Sequence, residues 1–169
     1  MFKKKMKKLI QKTMKLYHFS ILLIAVMFSA ISCNEKADDA KYNMLKKELK
    51  QSYNLSLDKT IKQVVFIGDE GCPNCVTSFS NYVLNNIDKY KDSTLILINS
   101  KGRNVDLDRF QALGMKNIII LRKAPVEKKF APNLGVVYME NKQKTVDTAV
   151  YIDAKEIIQQ INYIDSKNR

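Results

Sequence analysis

Two cysteines, Cys72 and Cys75, are separated by only two residues and could form a reversible disulfide. They follow a short apolar run that is typical of a strand, and they open a longer segment with helical spacing. A cysteine at the start of a helix faces unpaired backbone N–H groups and the positive end of the helix dipole, which favour the thiolate. We therefore expect Cys72 to be the nucleophile and Cys75, one turn further on, to resolve the mixed disulfide that Cys72 forms.

The residues between the cysteines suit this position. Proline has a fixed φ and no backbone N–H, so Pro73 fits the first turn of a helix, where an N–H group would lack a partner. Pro73 and Asn74 are accordingly expected to support the reactive pair.

Two other uses of the pair remain open. A structural disulfide would close a very short loop, and such a cross-link adds little stability because the gain grows with loop length. A zinc site needs four ligands, or three and a water molecule, but the only histidine in the sequence is His18, near the N-terminus. We therefore expect no metal, and the lack of a further histidine also argues against Cys–His and Ser–His–Asp catalysis.

The N-terminal residues predict export from the cytoplasm. Seven lysines precede an apolar run over residues 19–31, which is short for a transmembrane helix and typical of a signal peptide. The segment that ends in Cys33, Ser-Ala-Ile-Ser-Cys, resembles the lipobox of bacterial lipoproteins, although Ala30 stands where leucine is usual. This resemblance implies that residues 1–32 are removed and that Cys33 is lipidated; a plain secretory signal and a permanent N-terminal anchor are the alternatives.

The basic composition is largely a property of this N-terminal segment. The chain of 169 residues has 29 basic and 17 acidic side chains and a formal charge of +12. Without residues 1–32, which contain seven lysines and no acid, the formal charge is +5. A surplus so small and dispersed, with no basic motif interleaved with aromatic residues, predicts no nucleic-acid binding.

The remaining sequence is long enough for one domain with a single core. Helical spacing predicts four helices, over residues 40–53, from the cysteine pair to residue 90, over residues 106–113 and at the C-terminus. Short apolar runs and an alternating hairpin predict five strands, at residues 64–67, 94–99, 117–122, 134–139 and 145–152. Parallel crossovers come first and an antiparallel pair comes last, which predicts an α/β sandwich with a mixed sheet.

Two local details of the C-terminal part can also be predicted. Val146, Val150 and Ile152 alternate with other residues along the last strand, so they are expected to share its inward face. Asp153 and Glu156 have the spacing of a capping box and are expected to begin the final helix.

With this order of elements, residues 60–165 resemble the thioredoxin-like fold, and more narrowly the extracytoplasmic thiol–disulfide oxidoreductase lipoproteins of the TlpA and ResA type. The resemblance is carried by the strand that leads into the C-x-x-C pair and by Pro132, just before a predicted strand. In that family a cis proline at the equivalent place faces the active-site disulfide. The resemblance therefore assigns this role to Pro132, with Pro125 as the second candidate; the alternative is a trans proline that ends a loop.

The resemblance also implies a division of the chain. Residues 1–32 would be the removed signal peptide, and residues 33–59 a lipid-anchored tether and N-terminal helix. Residues 60–169 would be a thioredoxin-like three-layer sandwich around a mixed central sheet. The protein would lie in the bacterial cell envelope, held at a membrane and facing the periplasm or the cell surface.

The implied activity is exchange of electrons with protein thiols and disulfides, with an upstream electron donor and with no cofactor beyond the redox-active disulfide of Cys72 and Cys75. Two alternatives keep the same scaffold: a redoxin-type thiol peroxidase, and a binding lipoprotein whose dithiol takes no part in catalysis.

The sequence departs from the family at several positions around the pair. Gly71 stands where a tryptophan usually precedes the first cysteine, and Phe66 stands where the family has a buried acid six residues before it. Deprotonation of the second cysteine therefore needs another base or water. Asp69 and Glu70 are the nearest acids, and we expect them to be solvated loop residues.

Overall fold

A central sheet of five strands organises the described part of the chain. The computed structural model describes residues 40–58, 60–121, 130–140 and 144–169. The strands are β1 (Gln63–Gly68), β2 (Thr94–Asn99), β3 (Ile118–Leu121), β4 (Leu134–Glu140) and β5 (Thr145–Tyr151). Their order across the sheet is β3-β2-β1-β4-β5. The first three strands are parallel, and β4 is antiparallel to both β1 and β5, so the sheet is mixed as the sequence predicts.

The helical segments of the described residues are α1 (residues 40–53), α2 (Pro73–Asn85), a 3-10 helix (Ile87–Tyr90), α3 (Leu107–Ala112) and α4 (Ile157–Lys167). The helix predicted from the cysteine pair to residue 90 is thus divided in two. Asn86 explains the division, because its side-chain Nδ2 donates to the carbonyl oxygen of Tyr82 at 2.9 Å and its own N–H donates to the same oxygen at 3.1 Å. The side-chain amide thus binds the Tyr82 carbonyl in the last turn of α2, where the helix ends.

Each face of the sheet carries an apolar core, because successive residues of a strand point to opposite sides. Val65 and Ile67 of β1 pack on one face with apolar side chains of α2, α3 and α4. Val64 and Phe66 pack on the other face with the buried side of α1. Helices therefore cover both faces of β1, and this strand leads directly into the cysteine pair.

The expectation for the last strand is wrong. Val146 packs in the core beside α1, whereas Val150 and Ile152 pack in the opposite core, beside α2 and α4. The pairing register of β4 and β5 shifts between Tyr138 and Met139. One extra residue in a ladder moves every following side chain to the other face, so the simple alternation does not continue through the hairpin.

Residues 1–39 lie outside the described residues, and with them the predicted signal peptide and Cys33; Pro125 lies outside them as well. The described residues all belong to one compact unit, Asp39–Arg169. Within the described ranges, no helix combines the length and the apolar character that crossing a membrane requires.

Candidate active site

Cys72 is the N-cap residue of α2. The chain leaves β1 and turns through Gly71, whose φ of +117° suits glycine and strains other residues. Cys72 then adopts an extended backbone (φ −68°, ψ 117°), and its Sγ accepts a hydrogen bond from the backbone N–H of Cys75 at 3.3 Å. Pro73 is in the first turn of the helix, where a missing N–H costs nothing. A sulfur atom thus occupies the place that a serine or aspartate oxygen takes in an ordinary N-cap.

The two thiols differ in exposure. Cys72 is half-buried at the start of the helix, whereas Cys75 retains only 3% of its exposure. Cys75 lies on the inward side of α2, in the same apolar core as Val76 and Phe79. Both thiols are free. A partner would therefore meet the sulfur of Cys72 first.

The two thiols also differ in acidity. The pKa of Cys72 is lowered, chiefly by a hydrogen bond from the Cys75 side chain and then by the backbone N–H of Cys75, while burial opposes this and the N–H of Asn74 adds slightly. The pKa of Cys75 is raised to about 11, first by that same hydrogen bond to Cys72, then by burial and by the charge of Cys72, and least by the charge of Asp153. The first thiolate to form therefore belongs to Cys72.

A cavity of about 370 Å³ lies beside the two cysteines. Its described lining consists of residues 70–72 from the turn before α2, Cys75, residues 133–134 at the start of β4, and residues 151–154 at the end of β5. Segments far apart in the sequence thus meet around the dithiol. The C-x-x-C motif identifies only the first of them.

Pro132 does not have the conformation that the family resemblance implies. The Ala131–Pro132 peptide bond is trans, and no peptide bond among the described residues is cis. Pro132 is buried, and the residues of its loop that line the cavity are Asn133 and Leu134. The trans isomer is also the intrinsically favoured form of an X-Pro bond, by about 0.5–1 kcal/mol. The cis bond that the resemblance implies is therefore absent at Pro132, and the structure has the alternative, a trans proline.

Two contacts hold this loop and β4 in place. Glu48 of α1 is buried, and its Oε2 accepts hydrogen bonds from the backbone N–H groups of Phe130 and Ala131 at 3.0 and 3.1 Å. Gly135 has a φ of +152°, and a Cβ atom at this position would lie 2.0 Å from the carbonyl oxygen of Val150 in β5. Only glycine permits this approach. The lining of the cavity therefore depends on α1 and on the close approach of β4 and β5.

Asp153 contributes a fixed carboxylate to the cavity. Its Oδ1 accepts hydrogen bonds from the backbone N–H groups of Lys155 and Glu156 at 2.8 and 3.1 Å, and Gln160 Nε2 donates to its Oδ2 at 3.1 Å. These bonds, that of Lys155 above all, lower the pKa of Asp153. The predicted capping box is half right. The Asp153 side chain does cap this turn, but the backbone N–H of Asp153 donates to Gln160 Oε1, at 2.9 Å, and not to Glu156. Since α4 begins only after Glu156, that side chain makes no capping bond.

The expectation that Asp69 is a solvated loop acid is wrong, because both of its carboxylate oxygens accept hydrogen bonds. Its Oδ1 accepts from the Ser100 hydroxyl at 2.7 Å, and its Oδ2 accepts from the backbone N–H of Lys101 at 2.6 Å. Asp69 thus joins the turn before α2 to the loop after β2. A second cavity, of about 380 Å³, lies there, and its lining includes Pro73 and Arg103.

The residues chosen from the sequence therefore separate into three groups. Cys72, Pro73, Asn74 and Cys75 lie together at the start of α2, with Asn74 exposed. Pro132 lies in the adjacent loop without lining the cavity, and Cys33 is outside the described residues. Asn133, Leu134 and Asp153 were not predicted to line this cavity. In the described part of the chain, no three His, Cys, Asp or Glu side chains are grouped so that they could hold a metal ion.

Comparison of the chain with protein-family models, with curated proteins and with solved structures finds no match. The fold and the site themselves define the class to which the protein can be assigned. It is a mixed α/β protein with a five-stranded sheet, compatible with a thioredoxin-like fold, and it carries a C-x-x-C pair at the N-terminus of a helix.

Proposed function

We propose that this protein is an extracytoplasmic thiol–disulfide oxidoreductase with a thioredoxin-like fold, similar to the TlpA- and ResA-type lipoproteins. The observation that carries the proposal is the unequal pair of thiols at the start of α2. Cys72 is accessible and has a lowered pKa, whereas Cys75 is buried and has a pKa raised to about 11. Such a pair suits one attacking and one resolving sulfur, and a purely structural disulfide gains nothing from the difference.

In the reducing direction, the thiolate of Cys72 attacks one sulfur of a partner disulfide. The partner S–S bond breaks, a mixed disulfide with Cys72 forms, and one partner sulfur leaves as a thiolate that takes a proton from water. Cys75 then loses its proton and attacks the sulfur of Cys72, which releases the second partner thiol and forms the Cys72–Cys75 disulfide. Two electrons pass to the partner, and an upstream dithiol donor must return two electrons before the next cycle.

The raised pKa of Cys75 does not prevent the second step. Its largest cause is the hydrogen bond with Cys72, and the charge of the Cys72 thiolate is a further cause. Both disappear once the sulfur of Cys72 is bound in a mixed disulfide, and only burial and the Asp153 charge remain. The pKa of Cys75 should therefore fall at the moment when its thiolate is needed.

Reduction of the interchain disulfides of insulin by dithiothreitol tests this function. The full chain with Cys33→Ala, which keeps both thiols of the pair, should accelerate the reaction, and the same chain with Cys72→Ser should not. The reduced Cys75→Ser chain, mixed with insulin in the absence of dithiothreitol, should stop at mixed disulfides, which mass spectrometry of non-reduced samples can detect. If the chain with the intact pair were no faster than the Cys72→Ser chain, the protein would instead be a binding protein with an unused dithiol.

The proposed location is the cell envelope, with the protein held at a membrane by a lipid on Cys33. The support is the convergence of a basic start, a short apolar run and small residues before this cysteine. Expression of the Cys33→Ala chain in a bacterial host followed by membrane fractionation tests it. The variant should leave the membrane fraction or remain unprocessed, and unchanged retention together with unchanged mass would contradict the lipid anchor.

A further inference from the structure

Among the described lining residues of the cavity beside the dithiol, the charged side chains are all acidic. Glu70 comes from the turn before α2, and Asp153 comes from the turn after β5. The other described lining residues carry no formal charge apart from the thiols, and none of them is lysine, arginine or histidine. Two carboxylates from separate elements therefore border the sulfur atoms at which a partner must arrive.

Both carboxylates are in place before a partner binds. Asp153 is held as an ion by two backbone N–H groups and by Gln160. Glu70 is exposed, and its charge contributes, after burial and Glu48, to raising the pKa of Tyr53 to about 12. The charge of Asp153 likewise contributes to raising the pKa of Cys75. The described charges that border the dithiol in the folded chain are thus those of two carboxylates.

In the described part of the chain, the basic side chains closest in sequence to the two acids do not line this cavity. Lys155 is two residues after Asp153 in the sequence but is not part of the described lining. Lys101 and Arg103 line the second cavity, which Glu70 and Asp69 also border. Among the described lining residues, a charged group carried by a partner next to its disulfide would therefore meet only acids.

We propose that Glu70 and Asp153 determine specificity, so that the dithiol reacts preferentially with disulfides that carry positive charge beside the sulfur atoms, such as those in basic peptide segments. This inference rests on the proposed function and adds the class of substrate. The physical basis is ordinary electrostatics: a cleft lined by charges of one sign concentrates ligands of the opposite sign and repels those of like sign. The preference must weaken as salt shortens the range of the two charges.

Three small disulfides of similar size provide the test: cystamine, which is doubly positive, bis(2-hydroxyethyl) disulfide, which is neutral, and dithiodipropionate, which is doubly negative. The reduced full chain with Cys33→Ala is mixed with each one, quenched with acid and alkylated. Mass spectrometry then follows oxidation of Cys72 and Cys75, a suitable readout because the chain has no tryptophan. Each rate is divided by that of dithiothreitol with the same disulfide, which removes differences in intrinsic reactivity.

The normalised rate should be highest for cystamine and lowest for dithiodipropionate, with a ratio of roughly tenfold at low ionic strength. The ratio should contract towards one at about 1 M salt. Glu70→Gln, at an exposed position, should reduce the ratio without affecting the fold, and the double variant with Asp153→Asn should remove most of it. Asp108→Asn is the matched control, because it removes an exposed acid of α3 that does not line this cavity.

Equal normalised rates for the three disulfides, or a preference for dithiodipropionate, would overturn the inference and leave the proposed function intact. A ratio unchanged in the double variant, or reduced equally by Asp108→Asn, would likewise overturn the assignment to these two residues. If the chain reacted with none of the three disulfides, the proposed function itself would fail.

Discussion

The two thiols of the C-x-x-C pair should react with iodoacetamide at very different rates. The structure gives Cys75 a pKa of about 11 and gives Cys72 a pKa below the ordinary value of 9.0. Only the thiolate reacts, so the ratio of thiolate fractions sets the ratio of rates to a first approximation. The experiment measures how each cysteine changes the pKa of the other.

The expected magnitude follows from these pKa values. At pH 7, two pKa units between the thiols correspond to a ratio of thiolate fractions of about 100, a lower limit because Cys72 lies below 9.0. The thiolate of the more acidic thiol is also the weaker nucleophile. With a Brønsted slope of about 0.4–0.5, this lowers the ratio of labelling rates by a factor of about 6–10. A preference for Cys72 of at least about tenfold remains, and the burial of Cys75 should increase it.

Peptide mapping after brief labelling of the reduced full chain with Cys33→Ala would measure this preference. Replacement of either cysteine then tests its cause. In Cys72→Ala, the hydrogen bond and the charge that raise the pKa of Cys75 are lost, so Cys75 should be labelled faster near pH 8 while burial keeps its pKa above that of a free thiol. In Cys75→Ala, Cys72 loses the hydrogen bond from the Cys75 thiol, which is the main cause of its lowered pKa, so the pKa of Cys72 should rise.

Faster labelling of Cys75 than of Cys72 in the intact pair would refute the assignment of roles. A pH profile of Cys75 that did not change on removal of Cys72 would refute the reasoning behind it. In that case burial alone, and not the neighbouring sulfur, would control the acidity of the resolving thiol.

Three further predictions concern stability and redox potential. Gly135→Ala should lower the free energy of unfolding in urea by more than about 3 kcal/mol, because its methyl group would lie 2.0 Å from the carbonyl oxygen of Val150. Gly114→Ala is the control: with φ +60° but no atom within 4 Å, it should lower this free energy by only about 1–2 kcal/mol. Glu48→Ala should lower the free energy of unfolding by about 2–3 kcal/mol in the same measurement, because two backbone N–H groups lose their acceptor. An equal decrease for Glu48→Gln, which keeps an acceptor, would argue against this cause. The potential of the dithiol should lie nearer to about −270 mV than to about −120 mV, because the carboxylates of Glu70 and Asp153 border the pair and limit the stabilisation of a thiolate that a strongly oxidising site needs. A dithiol that stays reduced in mildly oxidising glutathione buffers would show the opposite.

The strands could be predicted because their composition leaves little choice. A strand that is covered on both faces reads as an unbroken apolar run, and residues 64–67 and 95–98 have this form. The start of α2 was equally predictable, since Pro73 and the helical spacing after it agree on one position. The register shift in the last hairpin was not, because a bulge depends on which residues of two strands pair and leaves no trace in the period of either strand.

The far side of the cavity could be predicted only through topology. No motif surrounds Asn133 or Leu134, yet Leu134 pairs with Ile67 because β4 runs antiparallel to β1. The start of an antiparallel neighbour must lie beside the end of the strand it pairs with. A correct prediction that β4 lies next to β1 would therefore have placed these residues beside the turn that precedes Cys72.

The structure shows why an acid at position 66 could not deprotonate Cys75. Phe66 points into the core beside α1, whereas Cys75 lies in the core on the opposite face of the sheet. A carboxylate at position 66 would therefore be separated from Cys75 by the sheet itself. The β1 side chains on the face of Cys75 are Val65 and Ile67, and neither can accept a proton. Deprotonation of Cys75 must then proceed towards the cavity, where the described lining offers the carboxylates of Glu70 and Asp153 and no histidine.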